Sequence, residues 1–192
     1  MLQNLELPIL DMPSIDEITK GKTKIDALRP IPIEELLGRE VIEAQGDLMK
    51  LAIKNKTILI TGAGGSIGSE LCRQVIQNKP KKIVLLEISE ENLYKINEEL
   101  SQINIDKITI KSILGSSSNF KLVSKTIKDN NIDIIFHAAA YKHVPIVELN
   151  PIEGIKNNIF STVAVCEASV ENHIEKLILI STDKSVRPTS IM

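Results

Sequence analysis

Only two cysteines occur, Cys72 and Cys166, both in segments with a helical pattern, and they have neither metal-ligand spacing nor a framework partner. That excludes a disulfide scaffold and leaves inert core thiols in a reducing, cytosolic setting. An excess of charge of one sign is also missing. The net charge of −2 gives no electrostatic reason to expect nucleic acid or an anionic membrane surface as a partner. Small anionic ligands stay open, because local geometry rather than net charge holds them. No apolar run reaches the length of about 18 residues that spans a bilayer. The start, MLQNLELPIL, lacks the basic flank and small-residue cleavage site of a signal peptide, and fits equally an internal start within a longer protein. Repeats and low-complexity tracts are absent too. What is present, 43% hydrophobic and 25% charged residues over 192 positions, is the composition of a globular domain able to bury a core.

Two regions differ in texture. Residues 1–55 contain Pro8, Pro13, Pro30 and Pro32, which leave room only for short helices. Ser14 and Glu17 have capping-box spacing with Gly21 at a plausible stop, and further helical stretches are expected over residues 33–37 and 42–53. This region reads as a connecting arm. From Lys56 onward, short apolar strands alternate with longer amphipathic helices. Strands are expected at residues 57–61, 82–87, 107–111, 132–137 and 176–181, and helices at 66–77, 90–103, 119–128 and 152–172. Repeated β-α-β units mean a parallel sheet covered on both faces, with right-handed crossovers. The expected fold is therefore α/β, a doubly wound Rossmann sheet over residues 56–192 interrupted after its fifth strand and preceded by a helical arm.

The first strand runs directly into Thr61-Gly62-Ala63-Gly64-Gly65-Ser66-Ile67-Gly68, which opens the first long helix. Gly62 is placed for the tight turn, Gly65 for close approach of backbone N–H groups to a pyrophosphate, and Gly68 for helix–strand packing. Together with Ser66 and Ile67 at the helix start, where the dipole favours anions, these are the candidate cofactor contacts. Glu87 ends the second strand, where a carboxylate accepts hydrogen bonds from an adenosine ribose. A 2′-phosphate would be repelled there and no arginine follows, so NAD is expected as cofactor.

The T-G-x-x-G-x-x-G spacing resembles the extended short-chain dehydrogenase/reductase group. The segments His137-Ala138-Ala139-Ala140-Tyr141-Lys142-His143-Val144-Pro145, Glu148-Leu149-Asn150-Pro151, Ile155-Lys156-Asn157-Asn158 and Ser181-Thr182-Asp183-Lys184 narrow the likeness. They are similar to the nucleotide-sugar 4,6-dehydratases of the CapD-like polysaccharide-biosynthesis family. In physical terms, Ala138, Ala139 and Ala140 are small residues that admit a cofactor against the backbone. His137 reads as a hydrogen-bonded structural histidine, and His173 carries no special role. Lys142 and His143 lie past the strand end, where they are expected to face substrate phosphates. Asn158 matches the asparagine of the superfamily's N-x-x-G-T pattern, with Ser161 in place of the glycine before Thr162, and the resemblance implies a bracing role. One departure is Gly115-Ser116-Ser117-Ser118, where the family usually has Gly-Asp to meet the adenine.

The resemblance implies oxidation at C4 of a UDP-sugar, UDP-N-acetylglucosamine, elimination of water across C5 and C6, and hydride return to C6. Carried over by position, Lys184 is the base at C5 and Asp183 the acid for the 6-hydroxyl. Nine residues after Asp183, where related enzymes place a tyrosine, stands Met192. A thioether transfers no proton. The large membrane-associated branch of the family has methionine here, which leaves Thr182 for work at C4. The partner lysine and the sugar-binding lobe are expected beyond Met192, so these 192 residues alone are expected to turn over little or not at all. The parent is expected to be a homo-oligomer anchored at the inner membrane, with this domain in the cytoplasm. A nucleotide-sugar epimerase or reductase on the same scaffold is the second reading, disfavoured by Asp183-Lys184 because epimerisation at C4 needs no C5 deprotonation. A non-catalytic nucleotide-binding module is the third. No metal is expected.

Overall fold

The computed structural model describes residues 10–11, 29–30, 46–104, 107–182, 185–187 and 190–191. By its contacts the chain divides into two units, Met1–Ala44 and Gln45–Met192. In the first, Leu10–Asp11 pairs antiparallel with Arg29–Pro30. The helices expected near residues 14–17 and 33–37 lie outside the described residues. The third expected helix is described as Gly46–Ile53 (α1). Its Ile53 is buried in the core of the second unit, so the division falls ahead of this helix rather than after it.

The second unit is built on five parallel strands: β1 (Thr57–Thr61), β2 (Lys82–Glu87), β3 (Thr109–Leu114), β4 (Ile134–His137) and β5 (Lys176–Leu179), in spatial order β3-β2-β1-β4-β5. Helices α2 (Ser66–Gln77), α3 (Glu90–Ile103) and α4 (Phe120–Asn130) connect the first four strands. Between β4 and β5 come α5 (Val144–Leu149), α6 (Pro151–Ile155), a π-helical turn (Lys156–Phe160) and α7 (Ser161–Glu171). Strand β1 shows why the sequence folds this way. All five of its residues are buried because alternate side chains feed two cores. Ile58 and Ile60 pack with Ile53, Cys72, Val75 and Ile96 from α1, α2 and α3. Leu59 packs on the other face with Val123, Ile127, Val165 and Ala168 from α4 and α7. The sheet is therefore doubly wound. The strand order reverses between β1 and β4, and the crevice outside their carboxyl ends is where such a fold binds ligands.

Local chemistry sets the element ends. Ser89 caps α3 by accepting the Asn92 N–H at 3.4 Å, with Glu90 and Glu91 in the first turn. Asn119 caps α4 through the Leu122 N–H at 3.1 Å, and Asn131 closes it in the left-handed region at φ 51°. Strand β3 starts at Thr109, later than expected; just before it the Asn104 amide bonds both the N–H and the C=O of Ile108 (2.8 and 2.7 Å). It then runs on to Leu114, which pairs with Glu87.

Three expectations are corrected. The single helix expected over residues 152–172 is broken by the π-helical turn. Strand β5, expected over residues 176–181, ends at Leu179: it is the edge beside β4, its residues are half-buried or exposed, and Leu179 is 51% exposed. Only one cysteine is a core thiol. Burial pushes the Cys72 thiol up to about 12, whereas Cys166 is exposed, because α7 turns Ser161, Ala164, Val165, Ala168 and Ser169 inward and leaves Cys166 on the opposite face. Among the described residues no helix is long and apolar enough to cross a membrane. Nor do His, Cys, Asp and Glu side chains there gather into a group that could hold a metal ion.

Candidate functional site

The crevice at the ends of β1 and β4 is a cavity of about 260 Å³ lined by Gly62, Gly65, Glu87, Ser116, Ser117, Ala138, Ala139, Ala140, Tyr141 and Asn157 among others. Its floor is the glycine loop. Gly62 sits at φ +64°, and a Cβ there would meet the Ala139 backbone at 2.7 Å, so the loops after β1 and β4 can lie this close only with glycine at 62. A Cβ on Gly68 would come within 1.9 Å of the Gly62 carbonyl oxygen, which is why the helix can start directly under the turn. Gly65 faces the cavity, and the Gly62 carbonyl alone lies near its missing side chain, at 3.2 Å. The first bond inside α2 is Ser69 N–H to Gly65 C=O at 2.9 Å. No side chain caps this helix, and its first turn holds no acid. The N–H groups of Ser66, Ile67 and Gly68 are thus the open end of a helix, as an anion site requires. Ser66, Ile67 and Gly68 themselves do not line the cavity, and the Ile67 side chain is 55% exposed.

Glu87 also lines the cavity and is buried. Its Oε1 accepts the N–H groups of Ile88 and Ser89 (2.9 and 3.0 Å), and its Oε2 accepts that of Gly64 at 2.9 Å. Three of roughly four acceptor positions are used, so a free lone pair of Oε2 remains for a ribose hydroxyl. The carboxylate also ties the glycine loop to the start of α3. Gly64, to which the sequence reading gave no role, is needed for this: a Cβ there would collide with Asn92 at 2.5 Å. Beyond Glu87, Ser116 and Ser117 line the wall; Ser116 Oγ is 2.8 Å from Ser118 Oγ, and Ser117 is buried.

Ala138, Ala139 and Ala140 form the opposite wall. Behind them His137 is 2% exposed, with Nδ1 2.6 Å from Thr61 Oγ1 and Nε2 3.3 Å from Thr162 Oγ1. Burial pushes its pKa down to about 4, so the ring is neutral at physiological pH. Asn158 does not line the cavity. Its Oδ1 accepts the Tyr141 N–H at 2.7 Å and its Nδ2 donates to the Tyr141 C=O at 3.1 Å, gripping the loop that forms the wall. Lys142 donates from Nζ to Ser66 Oγ at 2.9 Å, which brings it to the glycine loop. His143 is exposed at the start of α5. Thr61, Tyr141 and Thr162 also belong to this arrangement. The N-x-x-x-T spacing of Asn158 and Thr162 was the one sequence signal for the last of them.

Thr182 follows β5, is exposed, and its C=O accepts from Ser185 N–H and Oγ (3.2 and 2.6 Å). Asp183, Lys184 and Met192 lie outside the described residues.

Fold and cavity together define a Rossmann-type unit, a doubly wound parallel sheet with a glycine loop and a cavity at its switch point. More narrowly, the chain belongs to the polysaccharide biosynthesis protein family, which it matches over residues 58–192. It is 40% identical over 190 residues to the capsular polysaccharide biosynthesis protein CapD of Staphylococcus aureus, a match covering 98% of this chain and 32% of that protein. A UDP-N-acetylglucosamine 4,6-dehydratase (inverting) of Campylobacter jejuni is 35% identical over 141 residues, 71% of this chain and 39% of that one. A UDP-glucose 4-epimerase of Rickettsia bellii is 33% identical over 141 residues, 72% and 40% of the two chains. The solved structure of Pen from Bacillus thuringiensis superposes with a TM-score of 0.66 at 33% identity, covering 72% of this chain and 42% of that one. The chain thus spans about a third of the length of CapD and two fifths of the other two relatives.

Proposed function

We propose that this chain is the cofactor-binding portion of an NAD-dependent UDP-N-acetylglucosamine 4,6-dehydratase of polysaccharide or glycan biosynthesis, working in the cytoplasm as a homo-oligomer. The observation that carries the reading is one cavity lined both by Gly65, the residue that precedes the uncapped helix α2, and by the Glu87 carboxylate. An anion fits the first and a ribose diol the second, which is the polarity of an adenosine pyrophosphate. A 2′-phosphate would meet the Glu87 charge at close range, so NAD rather than NADP is the fitting cofactor.

Bound NAD would supply a hydride acceptor and donor for the sugar. Gly62, Gly65 and the N–H groups of Ser66 and Ile67 would hold it, with Glu87 on its ribose and Ala138–Ala140 against it. Thr182 works at the C4 hydroxyl, directly or through a water, since Met192 has no proton to exchange. With C4 oxidised, the C5 proton becomes acidic; Lys184, in its neutral form, takes it, and Asp183, in its protonated form, gives a proton to the departing 6-hydroxyl. Exclusion of water by a bound sugar would favour both of those protonation states.

Titration of the chain with both dinucleotides tests the cofactor half: NAD is expected to bind at least about tenfold tighter than NADP, and equal affinities would sink the assignment of Glu87. Incubation of the full-length protein with UDP-N-acetylglucosamine tests the reaction. A 4-keto-6-deoxy sugar is expected, lost by about 10²-fold or more in Lys184→Ala. Formation of the 4-epimer instead would favour the second reading, an epimerase like the Rickettsia relative.

A further inference from the structure

We infer that Glu148 is a positioning residue for the reaction: its carboxylate ties the chain that follows β5 to the helix that follows β4, and so sets the catalytic segment against the cofactor wall. The inference rests on the roles proposed above for Thr182, Asp183 and Lys184. It gives a part to Glu148-Leu149-Asn150-Pro151, a segment those roles leave without one.

The tie joins two neighbouring loops. Strands β4 and β5 pair in parallel, from Ile134 with Lys176 to His137 with Leu179, so the chains leaving them emerge side by side. The chain leaving β4 forms the wall of Ala138, Ala139 and Ala140 and then α5. The chain leaving β5 carries Thr182, with Asp183 and Lys184 next in sequence. The ladder runs one step past β5, as the Ile180 N–H donates to the His137 C=O at 3.0 Å. The Thr182 C=O then accepts the N–H and the hydroxyl of Ser185 (3.2 and 2.6 Å), which closes a turn. Past that turn the Ile191 N–H donates to Glu148 Oε1 at 2.6 Å. The segment is thus held on one side by the ladder and the turn, and on the other by Glu148.

By local rules Glu148 is out of place. It stands in the last turn of α5, where an anion opposes the helix dipole. Among the described residues no cation forms an ion pair with it. The bond to Ile191 offsets this, because a charged acceptor makes a stronger hydrogen bond than a neutral one. The helix around Glu148 supplies a fixed base. Val147 is buried, and a Cβ on Gly154 would meet its Cγ1 at 2.6 Å, so the missing side chain at Gly154 lets α6 close on α5. Asn150 finishes the helix, its N–H on the Val147 C=O and its Nδ2 on the Ile146 C=O, both at 3.0 Å. What Glu148 fixes in turn is the far end of the segment that bears Thr182. Chemistry at C4 is sensitive to such placement, since an error of about 1 Å between reacting groups costs about a hundredfold in rate.

The test uses the full-length protein and two variants: Glu148→Ala removes the acceptor, and Glu148→Gln keeps an oxygen at the same reach. Without substrate, hydrogen exchange read by mass spectrometry is expected to be about tenfold faster at the Ile191 amide in Glu148→Ala and within about twofold of wild type in Glu148→Gln. Because Glu148 is exposed, the amides of β1 are expected to keep their protection in both. With UDP-N-acetylglucosamine, kcat is expected to fall about tenfold in Glu148→Ala and to stay within about threefold of wild type in Glu148→Gln, while KM and the affinity for NAD hold. Unchanged exchange at Ile191 in Glu148→Ala would overturn the tie, whichever reaction the protein runs. Faster exchange with an unchanged kcat would overturn the positioning role. So would a loss confined to KM, or a glutamine variant as slow as the alanine one. Wild-type protein that makes the 4-epimer instead removes the dehydratase reading alone, and Glu148 then stands or falls by the same pattern of kcat measured on that product.

Discussion

His137 shows how one buried side chain couples the site to the stability of the unit. At pH 7 its ring is neutral in the folded state, because burial holds its pKa near 4, and mostly neutral in the unfolded state, where the ordinary value is 6.5. Folding is therefore indifferent to this group at neutral pH. As pH falls below 6.5 the unfolded chain takes up a proton that the folded chain refuses, so stability drops until the folded ring also titrates near pH 4. At about 1.4 kcal/mol per pKa unit, the full loss is on the order of 3 kcal/mol. Denaturant titrations at pH 7 and pH 4.5 check this: His137→Gln is expected to lose about 2–3 kcal/mol less than wild type across that interval. Equal losses would mean the acid sensitivity lies elsewhere. The sequence reading assigned His137 a structural hydrogen-bonding role because it ends an apolar strand. Its partners were not legible, since Thr61 and Thr162 are brought to it only by the pairing of β1 with β4 and the packing of α7.

At the scale of elements, legibility followed the locality of the signal. Strand β1, strand β2 and helices α2 and α3 begin and end where the pattern of apolar residues, glycines and caps places them, because each boundary is set by residues within the element or next to it. Glu87 and the glycine loop were readable for the same reason. The π-helical turn was not. Asn157, Asn158 and Ile159 carry no mark of it, and the reason to widen the helix lies in the Tyr141 backbone, distant in sequence. Helix α5 was missed because six residues with Pro145 near the start give too short a period to read. The π-helical turn amounts to one extra residue in a helix, which makes it testable. Deleting Ile159, whose side chain is 52% exposed, is expected to let α6 and α7 join as a regular helix and to rotate Asn158 by about 100° away from Tyr141. Unfolding temperature should fall by only a few degrees, while affinity for NAD falls about tenfold or more. A variant with wild-type affinity would show that the turn does nothing for the site.

For the Gln45–Met192 unit as a molecule, the uneven distribution of its exposed apolar side chains decides its behaviour in solution. Along α5, α6, the π-helical turn and α7, Ile146, Leu149, Ile152, Phe160 and Val170 are each more than half exposed, with Leu149 at 79% and Val170 at 77%. Single exposed leucines are ordinary, but a succession along consecutive helices is the kind of surface that associates. The net charge of −2 offers little repulsion between copies to oppose it. The chain is therefore expected to self-associate reversibly, with sedimentation velocity showing a weight-average mass that rises with concentration. Leu149→Glu and Ile152→Lys together keep the summed charge unchanged and remove two of the three most exposed of these side chains. At about 1.5–3 kcal/mol for each apolar side chain buried, the pair should weaken association by about a hundredfold or more. Because both positions are exposed in the monomer, the unfolding temperature of the dilute protein should barely move. A wild-type chain that stays monomeric at every soluble concentration would show that these helices do not mediate self-association. A double variant that associates as strongly as wild type would place the contact on another face.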